Sequence, residues 1–321
     1  MNAIVTGGSG FLGDLVVRRL LNEGVERVTI VDLMPPAADL SDDPRVEARI
    51  GDLALVIPTL EPADLVFHLA AVVSAAAERD LDLGMRVNVD ATRTLLDQAR
   101  SWGTRPVVVF SSSLAVFGGD AWFPMAAVVG DDTLPRPQSS YGIQKFIGEQ
   151  LVADYTRKGF IRGRSVRLMN VTVRPGLPNA AASGFMSGII REPLAGIESI
   201  CPVDPDLAIT VSSPRRTVDG LVAAGVTDDA IWGSPTAVSL PGLTITPREM
   251  VAALDRVTGE DTSRLVHWER DPGIEAIVAN FPGRVRAERA ERLGLGTESS
   301  FDDIVRIYLE DLDAAKARAQ R

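Results

Sequence analysis

A single cysteine, Cys201, and two histidines, His68 and His267, are all that 321 residues offer of the side chains that staple or metallate a fold. One thiol forms no intrachain disulfide, which fits a reducing cytoplasm. With no cysteine pair, a zinc site would have to be rich in carboxylates, and no metal is expected. Nowhere do about 18 apolar residues run together, so no membrane span is expected. The N-terminus enters an apolar stretch at once, without a charged leader and cleavage site, so export is not expected. Basic residues number 33 against 43 acidic ones, a net charge of −10. A nucleic-acid partner would need a basic face, and none is expected here.

The first half alternates short apolar runs with longer amphipathic ones, the pattern of βαβ units around a parallel sheet. Strands are expected at Ala3–Thr6, Val28–Asp32, Val46–Ile50, Leu65–Leu69, Val107–Ser111 and Val166–Asn170. Most are too uniformly apolar to be half-exposed, as strands covered on both faces should be. Helices are expected at Phe11–Glu23, Leu83–Trp102 and Tyr141–Lys158, each long enough for a right-handed crossover. After Asn170 the alternation fails, and Pro175, Pro178, Pro193, Pro202, Pro205 and Pro214 punctuate a loop-rich stretch. Order returns at Thr246-Pro247-Arg248-Glu249, a capping box with proline at the first helical position. A last helix is expected from Ser300, with Phe301, Ile304, Ile307, Tyr308 and Leu312 on one face and a frayed tail from Ala314. The expected fold is α/β: a doubly wound Rossmann-type parallel sheet over residues 1–172, with part of 205–240 returning to it. Residues 173–321 are expected to form mostly a smaller, loop-rich substrate-binding cap.

Gly7, Gly10 and Gly13 follow the first strand and open the first helix, where a helix N-terminus presents free N–H groups and partial positive charge to a pyrophosphate. Asp32 ends the second strand, placed to accept hydrogen bonds from the adenosine ribose. A carboxylate there repels a 2′-phosphate, so the expected cofactor is NAD rather than NADP. Asp52 ends the third strand and either accepts from the adenine amino group or caps a turn.

Tyr141 and Lys145 are four apart on an expected helix and share one face. A lysine ammonium lowers a neighbouring phenol from its usual pKa of about 10 toward a usable general base. The cluster Ser111-Ser112-Ser113 supplies a hydroxyl to hold a substrate oxygen. Together with a dinucleotide, these groups point to hydride transfer at an alcohol carbon. His68 ends a buried strand and is expected to satisfy a local hydrogen bond rather than act as a base.

The chain resembles the extended short-chain dehydrogenase/reductases, the NAD-dependent epimerase/dehydratase family. The residues that carry this are Thr6–Gly13, Asp32, Asp52, His68–Ala71, Asn88–Thr92, Ser111–Ser113, Tyr141–Lys145 and Arg167–Val171. The resemblance implies catalysis by Ser113, Tyr141 and Lys145, with Lys145 also reaching the nicotinamide ribose. It implies cofactor contacts from Gly7, Gly10, Phe11, Leu12, Gly13, Asp32, Asp52, Leu53, Leu69, Ala70, Ala71, Asn88, Ser111, Tyr141, Lys145 and Leu168. Phe117 stands where some sugar-nucleotide enzymes carry a hydroxyl, which weakens an epimerase reading. Leu114-Ala115 replaces the acidic pair of the 4,6-dehydratases.

Within the family, Arg174–Ser183, Ile189–Leu194, Cys201–Pro205 and Ser212–Arg216 resemble the subgroup that oxidises C2 of a small sugar acid such as D-erythronate. Met169 with Asn170 departs from that subgroup. The implied substrate contacts are Ser74, Ser113, Tyr141, Asn170, Asn179, Ser183 and Arg215. Arg215 either forks onto a carboxylate or braces the cap. The expected partner is thus a small hydroxy acid; the alternatives are a nucleotide-sugar epimerase or dehydratase with tightly bound NAD, and a non-catalytic dinucleotide sensor. Family members often pair the two helices equivalent to Leu83–Trp102 and Tyr141–Lys158 with their copies, which implies a homodimer.

Overall fold

The computed structural model describes residues 1–176 and 182–319. Among the described residues, twelve strands lie in chain order at β1 (Asn2–Thr6), β2 (Arg27–Asp32), β3 (Val46–Ile50), β4 (Leu65–His68), β5 (Val107–Ser113), β6 (Arg162–Leu168), β7 (Asn170–Val171), β8 (Ser199–Cys201), β9 (Ile209–Ser212), β10 (Val238–Ser239), β11 (Leu243–Ile245) and β12 (Val266–Trp268). The long helices are α1 (Phe11–Asn22), α2 (Ala91–Ser101), α3 (Ser140–Arg157), α4 (Phe185–Leu194), α5 (Pro214–Val226), α6 (Pro247–Thr258) and α7 (Phe301–Ala319).

The chain packs into two compact units. One comprises Met1–Val116, Pro137–Leu168 and Val218–Ser239. Its seven strands run parallel in the order β10-β6-β5-β4-β1-β2-β3. The order reverses between β1 and β4, the place where open α/β sheets bind ligands beyond the carboxyl ends of their strands. Ile4, Val31, Val66, Val108 and Phe110 of the sheet pack with Leu95, Leu96 and Val152 of α2 and α3. These are the uniformly apolar strand residues of the sequence, buried because helices cover them.

The other unit comprises Phe117–Arg136, Met169–Thr217 and Leu240–Arg321. It holds a three-stranded sheet, β11-β9-β7, and a two-stranded one, β12-β8. Its core joins Met186, Ile189 and Ile190 of α4, Met250 and Leu254 of α6, and Phe301, Ile304, Val305 and Tyr308 of α7. Thr246 and Glu249 form the reciprocal capping box read from the sequence.

Some elements differ from the sequence expectation, among them the helix over Leu83–Trp102, which a π-helical turn at Met85–Asp90 interrupts. The expected strand Val166–Asn170 instead begins at Arg162 and ends at Leu168. Its arginines hid it from a hydropathy reading: Arg164 reaches an exposed partner, Asp229, and Arg167 pairs with the buried Glu149, so both charges are compensated. The stretch after Asn170 is more regular than expected, because Pro214 starts a helix rather than ending one. The last helix runs to Ala319.

Candidate active site

The serine end of β5 and the first turns of α3 are built to touch. Ser139 caps α3 by accepting from the Gly142 amide at 3.2 Å, and the Ser140 amide donates to Glu78 at 2.9 Å. A Cβ at Gly142 would lie 2.2 Å from the Ala115 carbonyl oxygen, so only glycine lets this turn approach the turn that follows Ser113. Ser113 accepts the Ala115 amide at 3.1 Å, which leaves its hydroxyl proton for another acceptor. Strand alternation sends Ser112 to the opposite face, where its hydroxyl donates to Glu149 at 2.5 Å. Ser111 donates to the His68 carbonyl at 3.0 Å and ties β5 to β4.

Tyr141 is half-buried in the first turn of α3, and Lys145 is fully buried one turn on. The Lys145 ammonium donates to the Ser111 carbonyl at 2.7 Å, 5.7 Å from the centre of the Tyr141 ring and 4.9 Å from that of Phe110. Burial pulls its pKa down to about 7, with Glu149 pushing the other way. An amine so tuned is found at functional sites far more often than on surfaces.

His68 is enclosed in hydrogen bonds. Thr92 gives its own proton to the Asn88 carbonyl and so accepts from His68 Nε2 at 2.9 Å, leaving Nδ1 to accept from Thr6 at 2.7 Å. Burial, and then the Lys145 charge, push the His68 pKa down to about 3. It is a neutral strut, as its place at the end of a buried strand suggests.

Beyond β1 and β4 lies a cavity of about 510 Å³. It gathers Gly7, Gly10, Asp32, Asp52, Leu53, Leu69, Ala70 and Ala71, eight of the residues expected to hold a dinucleotide. Gly7 has φ of 71°, and a Cβ there would meet the Ala70 amide at 2.7 Å, so a side chain would close the crevice. No side chain caps the N-terminus of α1, which leaves its first amides for a pyrophosphate. The Asp32 carboxylate accepts from the Ser9 and Met34 amides at 3.0 and 3.2 Å, which fixes its orientation at the mouth. Volume, anion-binding end and oriented carboxylate together fit NAD.

Other expected residues sit elsewhere. Phe11, Leu12 and Gly13 form the first turn of α1, and Leu168 ends β6. Asp52 caps the short helix Leu53–Val56 through the Ala54 amide, the turn role left open by the sequence, while still lining the cavity. Asn88 pins the Val72 backbone in both directions, at 2.8 and 3.0 Å, and donates to Gln144 of α3 at 2.7 Å.

Of the expected substrate contacts, Ser74 begins the short helix Ser74–Arg79, and Ser183 lies in a half-exposed turn. The buried Asn170 amide donates to the Thr210 carbonyl at 2.9 Å. Arg215 donates to Glu310 at 2.8 Å and Asp311 at 2.6 Å on α7, so the structure favours the bracing alternative: two acids already occupy its fork. Asn179 lies outside the described residues.

The cavity wall also contains Leu83, Arg86 and Val87, which the sequence reading treated as plain helix. Their i, i+3, i+4 spacing was a legible face, but it does not distinguish a ligand wall from a packing one. Among the described residues, no group of three His, Cys, Asp or Glu side chains is placed to hold a metal. No described helix is long and apolar enough to cross a membrane.

A parallel sheet with a dinucleotide crevice at its switch point, beside a Ser-Tyr-Lys constellation, defines the short-chain dehydrogenase class. The NAD-dependent epimerase/dehydratase family matches residues 3–203, and the chain belongs to that family. A D-erythronate dehydrogenase of Cupriavidus necator is 46% identical over 330 residues, covering 98% of this chain and 100% of that protein. One of Haemophilus influenzae is 38% identical, covering 97% and 99%. Among solved structures, a nucleoside-diphosphate-sugar epimerase from Agrobacterium tumefaciens superposes with TM-score 0.89 at 38% identity, over 97% of this chain and 94% of that one. L-Threonine 3-dehydrogenase from Trypanosoma brucei, 24% identical with TM-score 0.84 over 96% of each chain, shares the fold.

Proposed function

We propose that this protein oxidises the C2 hydroxyl of a small sugar acid of the D-erythronate type, with NAD as oxidant. The observation that carries the reading is similarity along nearly the whole chain to two proteins named for that activity. Bound NAD would supply the hydride acceptor. Tyr141, as phenolate, takes the proton from the substrate hydroxyl. Lys145 holds the phenolate in its charged form by proximity, in a buried site where water screens little. Ser113 orients the hydroxyl and then donates to the oxygen as it becomes a carbonyl. Asp32 turns away a 2′-phosphate and so sets the preference for NAD.

The solved relative named as an epimerase favours a second reading, conversion of a nucleotide sugar. An NADH-formation assay across four-carbon sugar acids, run beside nucleotide sugars, separates the two. Turnover of D-erythronate is expected, and turnover of nucleotide sugars alone would replace the first reading with the second. Tyr141→Phe is expected to lower kcat by roughly 10²–10⁴ with NADH affinity little changed; a rate within about threefold of wild type would remove Tyr141 from the chemistry. We also infer, from the family resemblance, a homodimer formed through the helices expected at Leu83–Trp102 and Tyr141–Lys158; a dimer mass by light scattering is expected, and a monomer would refute it. The buried Cys201 thiol, pushed up to about 11 by desolvation, is unreactive.

A further inference from the structure

Behind the Tyr141–Lys145 pair lies a closed ionic cluster that no step above uses. Glu149 follows Lys145 by one turn of α3 and is as deeply buried. Its Oε1 accepts from Ser112 Oγ at 2.5 Å and from Arg167 Nε at 2.8 Å, and its Oε2 accepts from Arg167 at 2.7 Å. Ser112 precedes Ser113 on β5, Arg167 belongs to β6, and Glu149 belongs to the helix that carries Tyr141 and Lys145. Three elements of the site are thus joined through one carboxylate. Buried ion pairs are a weak source of stability, because the desolvation penalty offsets the attraction. A cluster placed here therefore calls for a reason other than holding the fold.

We propose that Glu149 is a positioning residue for the reaction: held by Ser112 and the Arg167 fork, its carboxylate locks the serine end of β5 to α3 and keeps a buried negative charge one turn from the Lys145 ammonium. This role presupposes that Tyr141 and Lys145 carry the chemistry. Apart from the Tyr141 phenolate that forms in the reaction, the groups facing Lys145 leave Glu149 as the charge that favours its ammonium. Tyr141 on α3 shares the reaction with it. From β4 comes His68, held neutral; from β5 come the Phe110 ring and the Ser111 carbonyl. On β6, Arg167 is forked onto Glu149 and Arg164 is paired with Asp229. Over residues 74–90, Glu78, Arg79, Asp80, Asp82, Arg86 and Asp90 are exposed, as are Arg93, Asp97 and Arg100 on α2. Charges open to water act weakly on a buried amine. Burial drives the Lys145 pKa down and Glu149 drives it up, so loss of Glu149 makes the ammonium release its proton at lower pH.

Glu149→Gln alone strands the Arg167 guanidinium in the interior and endangers folding. The deciding variant is therefore Glu149→Gln with Arg167→Met, which removes both charges together, beside Glu149→Asp, which keeps the charge on a shorter arm. The double variant is expected to lower kcat/KM about tenfold or more and to move the alkaline limb of its pH profile acidward by about half a unit or more, with NADH affinity within about threefold. Glu149→Asp is expected to keep the limb at its wild-type pH while kcat falls about threefold or more. A folded double variant with wild-type turnover and limb overturns the proposal. If the double variant does not fold, wild-type kcat in Glu149→Asp overturns it instead. Tyr141→Phe measured in parallel separates the two levels: if it stays active, the reading of the site fails. If it is inactive while the double variant matches wild type, only the role of Glu149 fails.

Discussion

Lys145 carries its amine into the interior, where burial holds the pKa near 7 against 10.5 for the ordinary side chain. Between those values the unfolded chain binds the extra proton, so stability rises with pH across that window. At pH 7 and below, the folded state bears the full cost of the buried ammonium, roughly 5 kcal/mol at most for a shift of that size. Lys145→Met removes the cost and loses the bond to the Ser111 carbonyl. It is expected to raise the unfolding free energy at pH 7 by about 1–3 kcal/mol while turnover collapses. Urea unfolding at pH 7 and pH 10 checks this, since the gap should close toward the higher pH. Equal or lower stability at pH 7 would refute the account. Arg215 is the opposite case, a charge satisfied at the surface by Glu310 and Asp311. Arg215→Ala should cost no more than about 1 kcal/mol of stability and leave kcat/KM for sugar acids within about threefold. A tenfold fall confined to acid substrates would return Arg215 to the binding site.

At the scale of elements, the seating of α3 on β5 decides whether Ser113, Tyr141 and Lys145, the groups proposed for catalysis, meet. A Cβ at Gly142 collides with the Ala115 carbonyl, and one at Gly148 lies 2.4 Å from the Phe110 ring. Gly142→Val must lift the first turn, and Tyr141 with it. Displacements of about 1 Å cost roughly 10²-fold in rate, so kcat should fall by that order while NADH still binds its cavity. Stopped-flow turnover with a parallel NADH titration would show the split, and loss of NADH binding with intact kcat would exclude it. The helix read as Leu83–Trp102 is broken by a π-helical turn at Met85–Asp90, where Asn88 reaches Val72 and Gln144. Periodicity marks where a helix lies; it carries no sign of a widened turn, which answers to partners distant in sequence.

For the molecule as a whole, acid should act first through the parallel-sheet unit. The His68 pKa is near 3 in the folded state and 6.5 ordinarily, so as pH falls below 6.5 the unfolded chain takes up the proton first. Stability fully present above pH 6.5 is lost as pH falls toward 3. Thermal unfolding from pH 7 to 4 should show a steep decline that is shallower in His68→Gln; parallel slopes would remove His68 from the cause. The sequence by itself determined the parallel sheet, the glycine loop with Asp32 at the next strand end, and the shared face of Tyr141 and Lys145, because each rests on local spacing: a period, a turn, or neighbours one helical turn apart; the role proposed for Ser113 came from resemblance to the family instead. Tertiary structure alone decided that Arg164 and Arg167 belong in a buried strand, that Arg215 spends its charge on α7, that Leu83, Arg86 and Val87 wall the cavity, and that Glu149 joins Ser112 to Arg167. A charge shows in sequence only its sign, and its partner is set by which elements the fold brings together.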